Sequence, residues 1–591
     1  MVAEVVIVKR LPRRFSFFDY KIPAGMTVNV GDLVQIDFRH QAMFGVVRAK
    51  KNASHHKLIP LHSVVIPGWM TDRDIARFEQ IARVIAQSPS AMLDALMTGF
   101  RNRLPKELPN VCKAPEAFTV PKALVAELTK IAVASDDAFV ETSLEGELVL
   151  ARLLRKHVNG QMLLLVPRER IAEQLATMFS PSARVAILTG ATPAPLREAI
   201  IRGWRFGTIQ TLIGMRQASL LSPHNLKLVH VLDVASREYG MLDRNPRFDV
   251  RLAAQLLAHT ERARFISSGS FPVLSQAMGT WHLLDTPSPT IVSMKHQEEK
   301  TKIPFLSETL KNAIEESLRD KKNVLLSFNR KGEASYASCG SCGAIPHCPT
   351  CESIPTSSGT AMHCPVCLLH LPMPTRCPFC GSDLILEKGL GNKAIKRKLQ
   401  HVFPTASIGI IDKGVQEPGC DITIATDYYL DMMLPAFKRQ FGRIAALNFD
   451  SNLAATHFES NEFAAGSLHR LMHLGAFQKA EVLIQTWLPE SVAEFVSTKR
   501  SADAILKNRS VYRLPPSGTL IRIEMKEPGD LECVKALFPK TELREHEQTV
   551  ELRFGAIPDT SVWLALEKLP DHCIIKTVIS SYDPQDSHQS K

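Results

Sequence analysis

Cys339-Gly-Ser-Cys342, Cys348-Pro-Thr-Cys351, Cys364-Pro-Val-Cys367 and Cys377-Pro-Phe-Cys380 are the stretches from which the rest of this chain is read. Each CxxC pair sets two thiolates about one tight turn apart, which suits two corners of a tetrahedron. Four such pairs between residues 339 and 380 predict two four-cysteine zinc sites. Gly340, Gly343, Pro349, Pro365, Pro378 and Gly381 are the turn formers that such knuckles need. The alternative, a set of disulfides, requires an oxidising compartment, and nothing else in the sequence points to one. Four thiolates leave no position open for water, so both ions are expected to be structural.

Working outward, a chain of 591 residues exceeds what one core supports, and roughly three to five domains are expected. With 45% hydrophobic and 22% charged residues, the composition is that of a soluble globular protein. No apolar run reaches the ~18 residues of a membrane span. Met1–Arg10 reads as a strand and lacks the layout of a signal peptide. A cytoplasmic protein with no membrane partner is therefore expected. The cysteines outside the cluster, Cys112, Cys420, Cys533 and Cys573, are expected to be buried thiols. A net charge of +11 and a pI near 9.0 favour a polyanionic partner, nucleic acid ahead of membrane.

Short strands at Val5–Val8, Leu33–Asp37 and Gly45–Arg48 make the first 65 residues a small β domain. There Arg10, Arg13, Arg14, Arg39, Lys50, Lys51 and Lys57 interleave with Phe15, Phe17, Phe18 and Tyr20. Aromatics that stack bases beside cations that meet phosphates suit single-stranded ends. The competing reading is a basic surface over an aromatic core, and Tyr20 in particular is assigned to that core. Helical spacing follows in Ile75–Phe78 and Ile81–Ile85, with Ser88 capping a second helix from Ala91 to Met97. Pro109, Pro115 and Pro121 mark a linker. Beyond it, apolar runs at Met162–Val166, Val185–Leu188, Thr211–Ile213, Leu228–Leu232 and Arg264–Ile266 alternate with helical segments and predict a parallel α/β sheet. A second set follows at Asn323–Ser327, Ser407–Ile411, Ile422–Ala425, Arg443–Leu447 and Glu481–Gln485. The cysteine cluster is expected to interrupt this second sheet after its first strand. Runs at Thr519–Ile523, Thr549–Arg553 and Ile574–Ile579 predict a terminal α+β unit, and Asp583–Lys591 a frayed end. The pair His469-x-x-x-His473 is expected at a helix surface.

This order of parts, with Leu11-Pro12, Phe18-Asp19-Tyr20 and Leu325–Gly332 running into the cysteines, resembles the primosomal protein N′ (PriA) family of bacterial replication-restart DNA helicases. The resemblance extends over nearly the whole chain. It implies a multidomain α/β protein with two RecA-like parallel-sheet helicase lobes and an inserted double four-cysteine zinc module. A small N-terminal β domain and a C-terminal α+β domain flank them. The implied layout is 1–68 for a 3′-end-binding β domain, 69–115 for a winged-helix-like domain and 116–290 for lobe 1. Lobe 2 takes 291–335 and 385–512, the zinc module 336–384 and the C-terminal domain 513–591. By analogy Cys339, Cys342, Cys377 and Cys380 share one zinc, and Cys348, Cys351, Cys364 and Cys367 the other. The family's 3′-end pocket maps onto Phe18, Asp19 and Lys57, with Arg39 where a glycine is expected after Asp37-Phe38.

The motor motifs depart from the family pattern. A phosphate loop needs glycines, a lysine for the β- and γ-phosphates and a hydroxyl for magnesium. The matching positions carry Leu144 for the glycine, Glu145 for the lysine and Gly146 for the hydroxyl. Glu145 turns an attraction into a repulsion of about 4 kcal/mol for a unit-charge pair at an effective dielectric near 20. The family's Asp-Glu-Glu-His falls on Asp233-Val-Ala-Ser236, so Asp233 remains to hold a metal while Val234 replaces the carboxylate that activates water. His473–Gln478 lacks the arginines of the last motif, and Asp427–Asp431 replaces the lysine-glycine strand exit. No Gly-Lys-Ser/Thr occurs elsewhere in the chain; Gly389-Leu-Gly391 is the nearest glycine-rich turn.

Three readings remain open. The first is a DNA-binding scaffold that recognises forked or 3′-ended DNA and recruits primosome and replication proteins, as a monomer, with two structural zinc ions and no use of ATP or magnesium. The second is an active ATP-dependent 3′-to-5′ helicase with divergent motifs. The third is a zinc-knuckle protein-interaction scaffold that binds no DNA. Fork-stimulated ATP hydrolysis separates the first two, and salt-dependent DNA affinity separates the first from the third.

Overall fold

The computed structural model describes residues 1–578 except 14, 16, 101–120, 180–183, 241, 243–244, 275–279, 285, 295–304, 329–335, 343, 345, 347, 350–354, 359–360, 364–368, 389–390, 413–416, 418, 427–440, 454–458, 547 and 556–557. The Pro109–Pro121 linker up to residue 120, Cys112, Cys351, Cys364, Cys367, Gly389, the Asp427–Asp431 stretch and the Asp583–Lys591 tail lie outside the described residues. The chain divides into two compact units, Met1–Leu283 with Leu506–Lys591, and Leu284–Ile505.

The first unit opens with β1 (Val2–Ile7), β2 (Phe18–Lys21), β3 (Leu33–Phe38), β4 (Gln41–Lys51), β5 (Ile59–Pro60) and β6 (Ser63–Ile66), in the order β5-β2-β1-β4-β3-β6. Period-two alternation divides β3 between two cores. Val34, Ile36 and Phe38 face a core with Val5, Ile7 and Tyr20, while Leu33 joins Val46 and Ile66 on the other face. The β3–β4 turn is the two residues Arg39 and His40, at φ 52° and 62°, between the paired Phe38 and Gln41. Two left-handed residues match the twist of a two-residue hairpin. The Asp37 carboxylate accepts from the His40 amide at 2.8 Å, which compensates for the missing glycine.

Helix α1 (Asp72–Val84) begins at a Thr71–Asp74 capping box, and α2 (Pro89–Leu96) at an N-cap by Ser88. Their buried faces, Ile75, Phe78, Ile81, Met92 and Leu93, belong to the same core as the parallel sheet that follows. Arg77, buried, donates to Asp74 at 3.2 Å and to the carbonyls of Leu220 and Leu221, which ties α1 to that sheet's surface.

Next come α3 (Lys122–Val133), β7 (Ala138–Glu141), α4 (Leu144–His157), β8 (Gln161–Leu165), α5 (Glu169–Thr177), β9 (Val185–Leu188), α6 (Ala194–Arg205), β10 (Thr211–Gly214), β11 (Leu226–Val231), α7 (Val250–Glu261), β12 (Arg264–Gly269) and β13 (Thr280–His282). The strands pair in parallel, in the order β13-β7-β12-β11-β8-β10-β9. Buried on both faces, β8 is apolar at Met162–Leu165 without alternation, as parallel strands are.

In the second unit, β14 (Thr290–Ser293), α8 (Glu308–Arg319) and β15 (Asn323–Ser327) precede the cysteine cluster. Within the cluster are β16 (Tyr336–Cys339), β17 (Thr356–Ser358), β18 (Ala361–His363), β19 (His370–Pro372) and β20 (Ile385–Lys388). After it come α9 (Asn392–Val402), β21 (Ile408–Ile411), β22 (Ile422–Ala425), β23 (Phe441–Ala446) and β24 (Glu481–Thr486). The parallel order is β14-β24-β23-β15-β22-β21. The cluster therefore interrupts this sheet after its second strand, not its first. The edge strand Thr290–Ser293 is too short and too exposed to stand out as an apolar run. The first unit closes with an antiparallel sheet of β25 (Thr519–Glu524), β26 (Glu542–His546), β27 (Thr549–Phe554) and β28 (Ile574–Val578), in the order β26-β27-β25-β28.

Candidate functional site

Three groups of candidate residues occupy separate parts of the fold. On the N-terminal sheet, Phe15 and Phe17 are exposed and Phe18 is half-buried. Phe18 stacks on Phe15 at 6.3 Å and meets Phe38 edge-on at 5.1 Å. Cations border these rings, with Arg39 and Lys9 over Phe38 at 5.5 and 5.7 Å and Arg48 over Phe17 at 4.7 Å. Asp19 is held by Lys51 Nζ at 2.7 Å and by the Ser54 hydroxyl at 2.5 Å. Burial tends to raise its carboxyl, but the hydrogen bonds from Lys51 and Ser54 outweigh that and keep it below the usual range. Lys57 is exposed. Tyr20 pairs with Ile59 in parallel register, so the segment carrying Lys57 runs alongside the one carrying Phe18. Tyr20 itself is a core residue whose hydroxyl donates to the Asp37 carbonyl at 3.0 Å.

The antiparallel pairing of β16 with β20, Cys339 opposite Ile385, closes the ends of the cysteine cluster onto each other. The sulfurs of Cys339, Cys342, Cys377 and Cys380 all lie within 4.8 Å of one another. Cys339 and Cys380 are 3.6 Å apart, and Cys342 and Cys377 3.7 Å. A tetrahedron with Zn–S bonds of ~2.3 Å has edges of roughly 3.8 Å, whereas a disulfide needs ~2.05 Å. The Ser341 and Phe379 amides donate to the Cys339 and Cys377 sulfurs at 3.4 Å, an outer shell that favours thiolates. The Cys342 amide leads in drawing the Cys339 thiol down to about 6. The donor set, the spacing and the amides all fit zinc. Cys348 is buried; its three expected partners are outside the described residues.

The third group surrounds the start of α4. Ser143 caps the helix, accepting from the Gly146 amide at 3.3 Å. Glu145, in the first turn, is 3% exposed, and neither carboxyl oxygen has a hydrogen-bond partner among the described residues. Burial pushes its carboxyl up, against a smaller opposing pull from its own amide and the Ser143 hydroxyl. A Cβ on Gly146 would come 2.0 Å from Thr142 Oγ1, so a hydroxyl-bearing residue does not fit there unless Thr142 moves. Leu144 and Val234 are buried. Asp233, buried at φ 45°, lies two residues beyond β11, and its amide donates to Glu147 Oε2 at 2.5 Å. That oxygen also accepts from the Ser268 hydroxyl at 2.7 Å, and Ser268 Oγ lies 2.8 Å from His230 Nε2. Glu147, Ser268 and His230 escaped the sequence reading because they belong to separate elements and form no motif. His469 and His473 correct the surface assignment, since both are buried. Their helix, Ser460–Gln478, buries Ala464, Leu468, Leu471, Met472 and Leu474 as well and so has little polar face. His469 Nε2 meets the Phe495 carbonyl at 2.9 Å.

Comparison with known proteins addresses these groups unequally. The model of the PriA 3′ DNA-binding domain (3′BD) matches residues 5–98, through both α1 and α2. The replication restart protein PriA of Rickettsia typhi is 23% identical over 638 residues, covering 94% of this chain and 96% of its own. That of Chlamydia trachomatis is 28% identical over 355 residues, covering 54% of this chain and 47% of its own. Among solved structures, RecG bound to a three-way DNA junction aligns with 74% of this chain and 54% of its own, at 13% identity and a TM-score of 0.34. No helix among the described residues is long and apolar enough to cross a membrane. The matched N-terminal domain, with a relative that runs nearly the length of the chain and others of the same name, makes this protein similar to the PriA replication restart proteins.

Proposed function

We propose that this chain is a DNA-binding scaffold of replication restart that engages forked and 3′-ended DNA and recruits primosome proteins without hydrolysing ATP. The observation that carries the proposal is Glu145, a buried carboxyl in the first turn of α4, where the family pattern has the phosphate-binding lysine. A nucleotide there meets repulsion of about 4 kcal/mol per unit-charge pair at an effective dielectric near 20. Gly146, closed over by Thr142, offers no hydroxyl to magnesium, and Val234 offers no base. DNA binding is assigned to the N-terminal domain, where the aromatic and cationic side chains around Phe18, with Asp19 and Lys57, suit a single-stranded end. Cys339, Cys342, Cys377 and Cys380 are assigned one structural zinc, and Cys348, Cys351, Cys364 and Cys367 another. The two parallel sheets are read as RecA-like lobes, in a monomer that works in the cytoplasm.

The test is ATP hydrolysis by the zinc-loaded protein, with and without forked DNA, alongside fork binding in the same samples. Fork binding with no hydrolysis above background is the expected result. Hydrolysis stimulated by the fork would refute the scaffold and establish a divergent helicase. Absence of salt-dependent fork binding would refute the DNA assignment.

A further inference from the structure

A second constellation of metal-binding side chains lies in the C-terminal sheet, where no sequence motif announces it. Asp530 is the first residue of the helix Asp530–Leu537, and His572 and Cys573 stand immediately before β28. One donor atom from each of Asp530, His572 and Cys573 lies within 4.8 Å of the other two. Asp530 and Cys573 are buried, and His572 is half-buried. The Asp530 carboxylate is held rigidly, accepting from the Lys526 and Glu527 amides at 2.9 Å each and from His572 Nε2 at 2.9 Å. Cys533, three residues after Asp530, packs on the same apolar core as Cys573, but its sulfur does not lie within 4.8 Å of all three donors. The turn carrying His572 and Cys573 is pinned by Arg13, which donates to the carbonyls of Pro570 at 3.1 Å and Cys573 at 2.5 Å.

We propose that Asp530, His572 and Cys573 hold a zinc ion of their own, separate from the cysteine module. One sulfur, one imidazole nitrogen and one carboxylate oxygen are donors that zinc takes, with a water in the fourth position of the tetrahedron. Bonds of ~2.0–2.3 Å give tetrahedral edges of roughly 3.3–3.8 Å, so donor separations of no more than 4.8 Å need to close by about 1.5 Å at most. His572 Nε2 turns from Asp530 to the ion, and Asp530 keeps its backbone donors as an anchored ligand. One thiolate and one carboxylate match the charge of the ion. Held from both sides, the ion clamps the helix to the turn before β28.

The test is zinc content per chain, by elemental analysis after dialysis against a weak chelator, for the parent protein, His572→Gln and Cys573→Ser. The carboxamide introduced by His572→Gln would still offer an N–H to Asp530, so that variant keeps the local hydrogen bond while losing the imidazole ligand. Each variant is expected to carry one zinc fewer than the parent, with an unchanged circular dichroism spectrum for His572→Gln. Equal zinc in parent and His572→Gln overturns the proposal, whether or not Cys573→Ser folds. Cys377→Ser, measured in parallel, removes the ion assigned to the cysteine module. Losses that add in the Cys377→Ser/His572→Gln double variant separate this site from that one.

Discussion

Glu145→Met is expected to stabilise the protein at neutral pH, and the gain should fade on acidification. Two carboxyl oxygens, 3% exposed as a residue and without partners among the described residues, carry an uncompensated desolvation cost. Leaving a buried polar group unsatisfied costs ~1–3 kcal/mol. Methionine has a similar length, comparable helix propensity and no polar hydrogen-bonding requirement. Because burial raises the folded-state carboxyl above its unfolded value of about 4.3, the native state binds the proton more tightly. The ionisation part of the penalty is therefore absent below about pH 4.3, grows as pH rises above it, and is complete once the folded-state carboxyl ionises. For a unit of more than 250 residues, ~1–3 kcal/mol corresponds to a rise in Tm of roughly 2–6 °C, at ~2 °C per kcal/mol. Thermal melts of parent and variant at pH 8.0 and pH 5.0 read both the sign and the trend. Glu147→Met is the control, since Glu147 accepts from the Asp233 amide and the Ser268 hydroxyl, and its loss is expected to destabilise by ~3 kcal/mol or more. Destabilisation by Glu145→Met at pH 8.0, or a gain that grows with acid, refutes the reasoning.

Phe18→Ala and Lys57→Ala are expected to weaken binding to a free 3′ end several-fold more than to blunt duplex, as read by fluorescence anisotropy; equal losses on both would remove these residues from the pocket. Arg13→Met leaves the carbonyls of Leu566, Pro570 and Cys573 without their guanidinium, and a loss of ~2–3 kcal/mol is expected in urea unfolding. An unchanged midpoint would show that this contact adds nothing. His230 is held neutral, pushed down to about 3 by burial and then by Arg264. Its contribution is complete above about pH 6.5 and is lost as pH falls, by roughly 2 kcal/mol between 6.5 and 5.0. His230→Gln should therefore gain about that much on the parent at pH 5.0 and little at pH 7.5, and parallel pH curves would count against it.

Local pattern was enough to recover most strands. The unbroken apolar runs at Met162–Val166 and Val324–Leu326 fall on β8 and β15, central in their sheets, where burial on both faces favours apolar residues without alternation. Edge strands β13 and β14 were missed for the converse reason: Thr280–His282 and Thr290–Ser293 are short and partly exposed, so water permits polar residues there. Ser88 and its proline announced α2 because a helix cap is satisfied within one turn of chain. CxxC spacing likewise announced Cys339, Cys342, Cys377 and Cys380, whose sulfurs gather within 4.8 Å of one another.

Sequence by itself determined what depends on neighbours within a few residues: strand runs, caps and knuckles. Only tertiary structure decided which distant groups meet and which remain without partners. It closed Cys339 onto Cys380, buried His469 and His473 in a helix with little polar face, and left the Glu145 carboxyl without a hydrogen bond among the described residues while Glu147, two residues on, accepts from the Asp233 amide and the Ser268 hydroxyl. It also brought Asp530 to His572 across the C-terminal sheet. The physical reason is that periodicity along a chain reports one residue's own turn or pleat. Burial and hydrogen-bond satisfaction, by contrast, are set by whatever segments the fold packs against it.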